Sequence, residues 1–130
     1  MEHIKITDLC VGDWVMYDLK PYIVQQIDGE SEHVVISGSK SVREKHIDYI
    51  EPICIKPEIL KRNGFLDEEI LGYDDFTTDN LYILRQHGDK YWSLRIFVDN
   101  IVPKVRCSIR HIHQLQHALR LAGIDKEIEL

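Results

Sequence analysis

The sequence predicts an α+β fold built mostly from antiparallel strands, and three observations support this prediction. Residues 109–124 carry apolar side chains at three- and four-residue spacing, which gives a helix one apolar face. Residues 92–98 alternate apolar and other side chains, the pattern of a strand with one buried face. Turn residues interrupt the first 50 positions every eight to twelve residues, which is typical of a small curled sheet or barrel. Because an amphipathic helix must bury its apolar face, we expect the C-terminal helix to pack across the apolar face of residues 92–98.

The first 50 residues predict four short strands. Gly12 and Asp13 form a turn that leads into the first strand, where Trp14, Val15 and Tyr17 have high β propensity. A tight reversal at residues 19–21 and turns at 28–29 and 38–39 separate three further strands, at residues 22–27, 33–36 and 42–50. In the fourth strand, Ile47 and Tyr49 are expected to point inward.

Part of this segment resembles a known architecture. The opening Gly12-Asp13-Trp14-Val15, followed by Pro21-Tyr22-Ile23-Val24, resembles the start of SH3-like small barrels, in which a Gly-Asp turn feeds the first long strand. The whole chain also resembles small uncharacterised proteins from prophage-like and mobile-element regions of gut anaerobes, in this opening, in residues 55–65 and in residues 112–119. That group has no established activity, so the resemblance implies an architecture and leaves the function open.

A short helix is predicted at residues 57–63. Pro57 suits the first helical position, Glu58 favours the positive end of the helix dipole, and Gly64 suits the C-terminal cap. Phe65 should then fold back on Leu60. This helix marks the boundary between an SH3-like β subdomain at 1–55 and a second part at 56–130, and the two are expected to form one compact unit.

The second part is predicted to be a three-stranded meander with a covering helix. Residues 67–79 are acidic and lack a period, which favours a loop. Strands follow at 81–86, 92–98 and 101–109, and Pro103 should place the last of them at an edge or a bulge. Gly123 should cap the C-terminal helix and bring Ile124 back onto it.

Composition and charge narrow the class of protein. With 130 residues, 44% hydrophobic and 29% charged, the chain can bury a core without disulfides or metal. No apolar run approaches the roughly 18 residues that span a bilayer, and no signal-like core follows the N-terminus, so we expect a cytoplasmic protein without membrane partners. The net charge of −6 argues against general binding of the nucleic-acid backbone. Only residues 104–130 are locally basic, with five basic and three acidic side chains.

The spacing of the cysteine, histidine and acidic residues does not predict a metal site. Cys10, Cys54 and Cys107 are odd in number, far apart and flanked by apolar residues, which favours buried thiols. His113 and His117 have the four-residue spacing of zinc hydrolases, but Gln114 stands where those enzymes place a glutamate, so a solvated polar face is preferred. The acidic segment lacks the spacing of an EF-hand. We therefore predict no metal, no cofactor and no enzymatic activity.

Two groups of side chains form the candidate interaction surface. One is a basic stripe on and before the C-terminal helix, formed by Arg106, Arg110, His113, His117 and Arg120. The other is aromatic and consists of Trp14, Tyr17 and Tyr22. The leading hypothesis is a non-catalytic interaction module or adaptor, of phage or mobile-element origin by resemblance, that acts through a partner protein or as a homo-oligomer. The alternative is a nucleic-acid-associated accessory protein that uses the basic helix face and the aromatic side chains. For Trp14, a place in the core is preferred over a place on this surface.

Overall fold

The computed structural model describes residues 3–97 and 103–130. Within them, nine strands and two α-helices form an α+β fold that is mostly antiparallel, as predicted. The elements are β1 (Trp14–Tyr17), β2 (Lys20–Asp28), β3 (His33–Ser37), β4 (Val42–His46), α1 (Pro57–Arg62), β5 (Leu66–Asp67), β6 (Tyr73–Thr78), β7 (Leu81–Gln86), β8 (Trp92–Phe97), β9 (Pro103–Ile109) and α2 (Ile112–Leu121). The chain divides into two compact units, Met1–Cys54 with His111–His113 and Ile55–Arg110 with Gln114–Leu130.

The first unit holds a four-stranded antiparallel sheet in the order β1-β2-β3-β4. The turn between β1 and β2 consists of Asp18 and Leu19, both with positive φ (50° and 62°), a geometry that matches the twist of paired strands. A 3₁₀ turn at Ile47–Tyr49 follows β4. The chain then returns to β1, where Glu51 and Met16 exchange backbone hydrogen bonds of 2.8 and 2.9 Å. This bridge covers part of the outer edge of β1.

The core of the first unit is formed by one face of this sheet and the segments that flank it. Its buried members are Ile4, Leu9, Val15, Tyr22, Val24, Val34, Ile36, Ile47 and Ile50. The predicted fourth strand is wrong in its second half, because β4 ends at His46 and Tyr49 is 64% exposed. The 3₁₀ turn breaks the alternation that had placed Tyr49 inward, whereas Ile47 is buried as predicted.

The second unit holds a five-stranded antiparallel sheet in the order β5-β6-β7-β8-β9. The predicted loop at residues 67–79 is wrong for Tyr73–Thr78, which form β6, and for Asp67, the second residue of β5; residues 68–72 connect the two strands. Arg85 on β7 lies opposite Asp74 and donates to its carboxylate at 2.7 Å, so the neighbouring strand supplies the positive charge that the acidic segment lacks. Phe76 on β6 is buried. The three predicted strands of the meander are present, with β9 at the edge as Pro103 indicated, while residues 98–102 lie outside the described part of the chain.

Helix α1 confirms the prediction made from its capping residues. It starts at Pro57, and Gly64 follows it with a φ of 86°. Phe65 is buried and its N–H donates to the carbonyl of Leu60 at 3.0 Å, the predicted return of the chain. The side chain of Asn63 holds the C-terminal segment by donating to the Glu129 carbonyl and accepting from the Glu129 N–H, both at 2.7 Å.

Helix α2 also ends as predicted. Gly123 has a φ of 76°, and Ile124 donates its N–H to the carbonyl of Leu119 at 2.9 Å. Leu115 and Leu119 are fully buried, and residues 92–97 are extended. Lys104 of β9 donates to the carbonyl of Ala122 at 3.0 Å, which places the end of the helix beside the edge strand. Neither helix in the described chain has the length and apolar character of a membrane span.

The polar face of α2 is narrower than predicted. His113 is 4% exposed and Gln116 is also buried, together with the apolar stripe. At 100° per residue, the buried positions cover roughly 220° of the helix circumference, more than half of it. Because more than half of the helix circumference is buried, α2 also buries polar side chains that a prediction with a single apolar face would place in solvent.

Candidate functional site: a cationic groove on the first sheet

The first sheet carries a groove of about 690 Å³, a size within the range of small-ligand sites. Its lining combines three cations, two aromatic rings and three serine hydroxyls, as follows: Trp14, Lys20, Pro21, Tyr22, Ile23, Ser37, Gly38, Ser39, Lys40, Ser41 and Arg43. None of these lining residues is acidic. In a chain with a net charge of −6, this is a local concentration of positive charge.

Strand pairing and one short loop build the groove. Trp14 lies opposite Ile23, and Ile23 lies opposite Ser37, so these three side chains follow one another across β1, β2 and β3. The loop between β3 and β4 is closed by a hydrogen bond of 2.8 Å from the Gly38 N–H to the Ser41 carbonyl. This loop carries Lys40 and the serine hydroxyls to the end of the sheet.

Glycine at position 38 is required by the ring of Tyr22. A Cβ atom added to Gly38 would lie 2.8 Å from Cε1 of Tyr22, closer than carbon atoms approach without displacement. Tyr22 is itself buried, so its ring lies against the backbone of the loop. The loop and the aromatic floor of the groove are therefore held together by a direct backbone-to-ring contact.

The pKa of the Tyr22 hydroxyl depends on the charges around it. A side-chain hydrogen bond with Ser41 and the positive charges of Arg43 and Lys20 lower the pKa of Tyr22 below its ordinary value, although burial acts in the opposite direction. Cations that favour a phenolate also favour a bound carboxylate or phosphate. The groove can therefore attract an anionic ligand.

A second aromatic ring adjoins Tyr22. Tyr17 meets it edge-on with ring centroids 5.9 Å apart, and Lys45 and Arg43 lie 5.0 and 6.0 Å from the centroid of Tyr17. Tyr17 belongs to β1 whereas both cations belong to β4, the opposite edge of the sheet. The sheet is therefore curled so that its two edge strands approach each other.

The structure separates the predicted interaction residues into different places. Trp14 and Tyr22 line the groove, and Tyr17 contacts Tyr22. Trp14 is half-buried rather than enclosed in the core. The sequence prediction missed Lys20, Lys40 and Arg43, although the two-residue spacing of Arg43 and Lys45 on a strand was a usable sign that both face one way.

The basic stripe does not form one exposed surface. His113 is buried and stacks on His111 with ring centroids 5.6 Å apart, which contradicts the predicted solvated position. Arg110 and His117 are half-buried, and only Arg106 and Arg120 are exposed. Arg106 and His117 line a second cavity of about 520 Å³ along β9, which leaves a smaller cationic surface than the sequence suggested.

The prediction of buried cysteines is wrong. Cys10 is exposed, and Cys54 and Cys107 are half-buried. Apolar neighbours in the sequence did not indicate burial, because Cys10 lies in the loop before β1, Cys54 in the segment that precedes α1, and Cys107 on an edge strand. Partial burial raises the pKa of the Cys107 thiol, which keeps it protonated at neutral pH.

Comparison of the chain with protein-family models, with curated proteins and with solved structures gives no match.

Proposed function

We propose that this chain is a non-catalytic interaction module that binds an acidic segment of a partner protein in the cationic groove of the first sheet. The observation that supports this proposal is a groove lined by Lys20, Lys40 and Arg43 together with Tyr22 and by no acidic residue, in which the charges of Arg43 and Lys20 lower the pKa of Tyr22. Trp14 lines the same groove and gives it an apolar surface. A carboxylate-rich segment with an apolar side chain matches both properties.

The overall charge favours a short acidic segment over a long nucleic acid. A duplex or a long single strand brings many phosphates close to a surface with a net charge of −6, and its affinity depends on many cations at once. A short peptide needs to contact only the groove. Since the basic helix face is also reduced by the burial of His113, the nucleic-acid alternative is the second candidate.

The test is a binding titration at low salt with a fluorescently labelled poly-glutamate peptide. We expect saturable binding, accompanied by a change in Trp14 emission, because Trp14 lines the groove whereas Trp92 is buried in the second unit. The charge reversal Lys20→Glu with Lys40→Glu should weaken binding by about tenfold or more, since two exposed attractive contacts become repulsive. Both side chains are exposed, so the fold should tolerate the change.

Two matched variants locate the site. Arg62→Glu with Lys90→Glu reverses two exposed charges in the second unit and should leave the affinity unchanged. Arg110→Glu with Arg120→Glu tests the helix face. The absence of peptide binding at low salt would refute the proposal, and tighter binding of an oligothymidylate that is lost in the Arg110 and Arg120 variant would establish the nucleic-acid alternative instead.

The architectural resemblance also remains a prediction. The return of Glu51 to β1 after a 3₁₀ turn and the approach of β4 to Tyr17 are features that a closing small barrel requires, and they support the SH3-like assignment of the first unit. The cytoplasmic location and the phage or mobile-element origin rest on the sequence alone.

A further inference from the structure

The outer face of the second sheet carries an unusual row of side chains. Strand register places Tyr82 opposite Arg95, and Arg95 opposite Arg106, so the three side chains lie next to one another on one face. Both arginines are exposed. The opposite face of the sheet carries the buried residues Ile83 and Leu94, so this row belongs to the surface side.

The two arginines place like charges side by side. Directly opposed residues on antiparallel strands have Cβ atoms about 4.5–5.5 Å apart, and like charges at this distance destabilise the sheet. Within residues 3–97 and 103–130, neither arginine forms an ion pair with a carboxylate. Arg85, in contrast, is paired with Asp74 at 2.7 Å. An anion bound between Arg95 and Arg106 would convert this repulsion into attraction.

Aromatic rings adjoin the arginine pair. Tyr82 and Phe97 meet edge-on with ring centroids 5.4 Å apart, and Phe97 lies two residues from Arg95 on the same strand. A cavity of about 400 Å³ is lined by both rings and by Arg95, together with Leu84, Ser93 and Asp75. The cavity therefore combines an apolar wall with one cationic side chain, Arg95. Arg106 lies opposite Arg95 on β9, at the side of this cavity, and also lines the cavity of about 520 Å³ along β9.

Asp75 limits the kinds of anion that fit. It is offset by two residues, about 7 Å along the strands, from the row of Arg95, and it lies two strands away from Arg95 across the sheet. A ligand with its charge concentrated at one end avoids this carboxylate, whereas an extended polyanion does not. The site therefore favours a small ligand with one compact anionic group.

We propose that the outer face of the second sheet binds a phosphate monoester attached to a planar ring, with the phosphate between Arg95 and Arg106 and the ring against Tyr82 and Phe97. Guanidinium groups pair with phosphate oxygens in a fork geometry, and a dianion satisfies two of them. The site lies within the second unit and does not depend on the cationic groove of the first. The same chemistry is offered by a free aryl phosphate and by a phosphotyrosine side chain.

The test is calorimetric titration of the full chain with phenyl phosphate in low-salt buffer. We expect saturable binding that is about tenfold weaker in Arg95→Gln and in Arg106→Gln, because each variant removes a charge-assisted pair. Arg62→Gln, which changes an exposed arginine on α1, should bind as the unaltered chain does. Methyl phosphate should bind more weakly than phenyl phosphate, since it lacks the ring.

Thermal unfolding provides a second readout. In low-salt buffer without phosphate, Arg106→Gln should raise the melting temperature slightly, because it removes the like-charge contact. If a phosphotyrosine peptide binds more tightly than phenyl phosphate, the ligand of this site is a phosphotyrosine side chain of a protein. If the two affinities are equal, the ligand is a free aryl phosphate. The proposal is overturned if phenyl phosphate does not bind, if both glutamine variants bind it unchanged, or if Lys20→Glu with Lys40→Glu abolishes the binding.

Discussion

The contact between Gly38 and Tyr22 gives the sharpest test of how the groove is built. Gly38→Ala adds one methyl group whose carbon would lie 2.8 Å from Cε1 of Tyr22. An ordinary carbon contact is about 3.5–4.0 Å, so the ring or the loop must move by about 1 Å. The ring is poorly placed to do so, because Tyr22 is buried and meets Tyr17 edge-on.

The expected cost follows from the behaviour of overpacked sites. Inserting a methyl group into a filled site costs about 1–3 kcal/mol, and this should appear in urea unfolding as a lower midpoint with an unchanged slope. The displacement should also weaken binding of the acidic peptide, since it moves the Tyr22 hydroxyl away from Arg43 and Lys20. Stability and binding should therefore decrease together.

Gly29 offers a matched control, because an added Cβ there has no atom within 4 Å and Gly29 does not have a positive φ. Gly29→Ala should be neutral or stabilise the fold by up to about 1 kcal/mol. A double-mutant cycle attributes the cost: in a Tyr22→Leu background, Gly38→Ala should lose most of its penalty. If Gly38→Ala proves as harmless as Gly29→Ala, or if its penalty is unchanged in the Tyr22→Leu background, the contact does not organise the groove.

Three further predictions concern stability. Leu115→Ala should lower the free energy of unfolding by about 2–5 kcal/mol in urea titrations, since it opens a cavity at a fully buried position, and a loss under 1 kcal/mol would contradict this burial. Asn63→Ala should cost about 1–3 kcal/mol and speed hydrogen exchange at the Glu129 amide, which loses its acceptor; unchanged exchange there would exclude this role. Burial, followed by the negative charges of Glu68 and Asp67, raises the pKa of Asp75. The ionised carboxylate therefore destabilises the folded state above that pKa. Asp75→Asn should therefore raise the melting temperature at neutral pH, and this gain should vanish as the pH falls below about 4; a gain that persists at low pH would refute the electrostatic cause.

The sequence predicted those features that depend on neighbouring residues. Pro57 and Gly64 define α1 because their backbone preferences act within the helix itself. Gly123 ends α2 for the same reason, and the alternation of residues 92–97 identifies β8 because one buried face is enough to produce it.

The errors arise where packing against other elements decides the local structure. Residues 73–78 appear unstructured by composition, yet Arg85 pairs with Asp74 and Phe76 is buried. His113 appears exposed when only one side of the helix is assigned to the core. In both cases the outcome depends on tertiary packing, and the periodicity of the segment itself contains no information about it.

The cationic groove depends on the curl of the first sheet, which explains why only its aromatic half was predicted. Alternation assigns Arg43 and Lys45 to one face of β4 and Tyr17 to one face of β1, but it does not state how far apart the two edge strands lie. In a flat sheet they would be separated by three strand spacings, about 14 Å. The Lys45 ammonium lies instead 5.0 Å from the centroid of the Tyr17 ring, so the twist and curl of the sheet bring the charges to the rings. A cation cluster of this kind is a property of the folded sheet, and substitutions that relax the Met16–Glu51 bridge should weaken the groove without altering any of its lining residues.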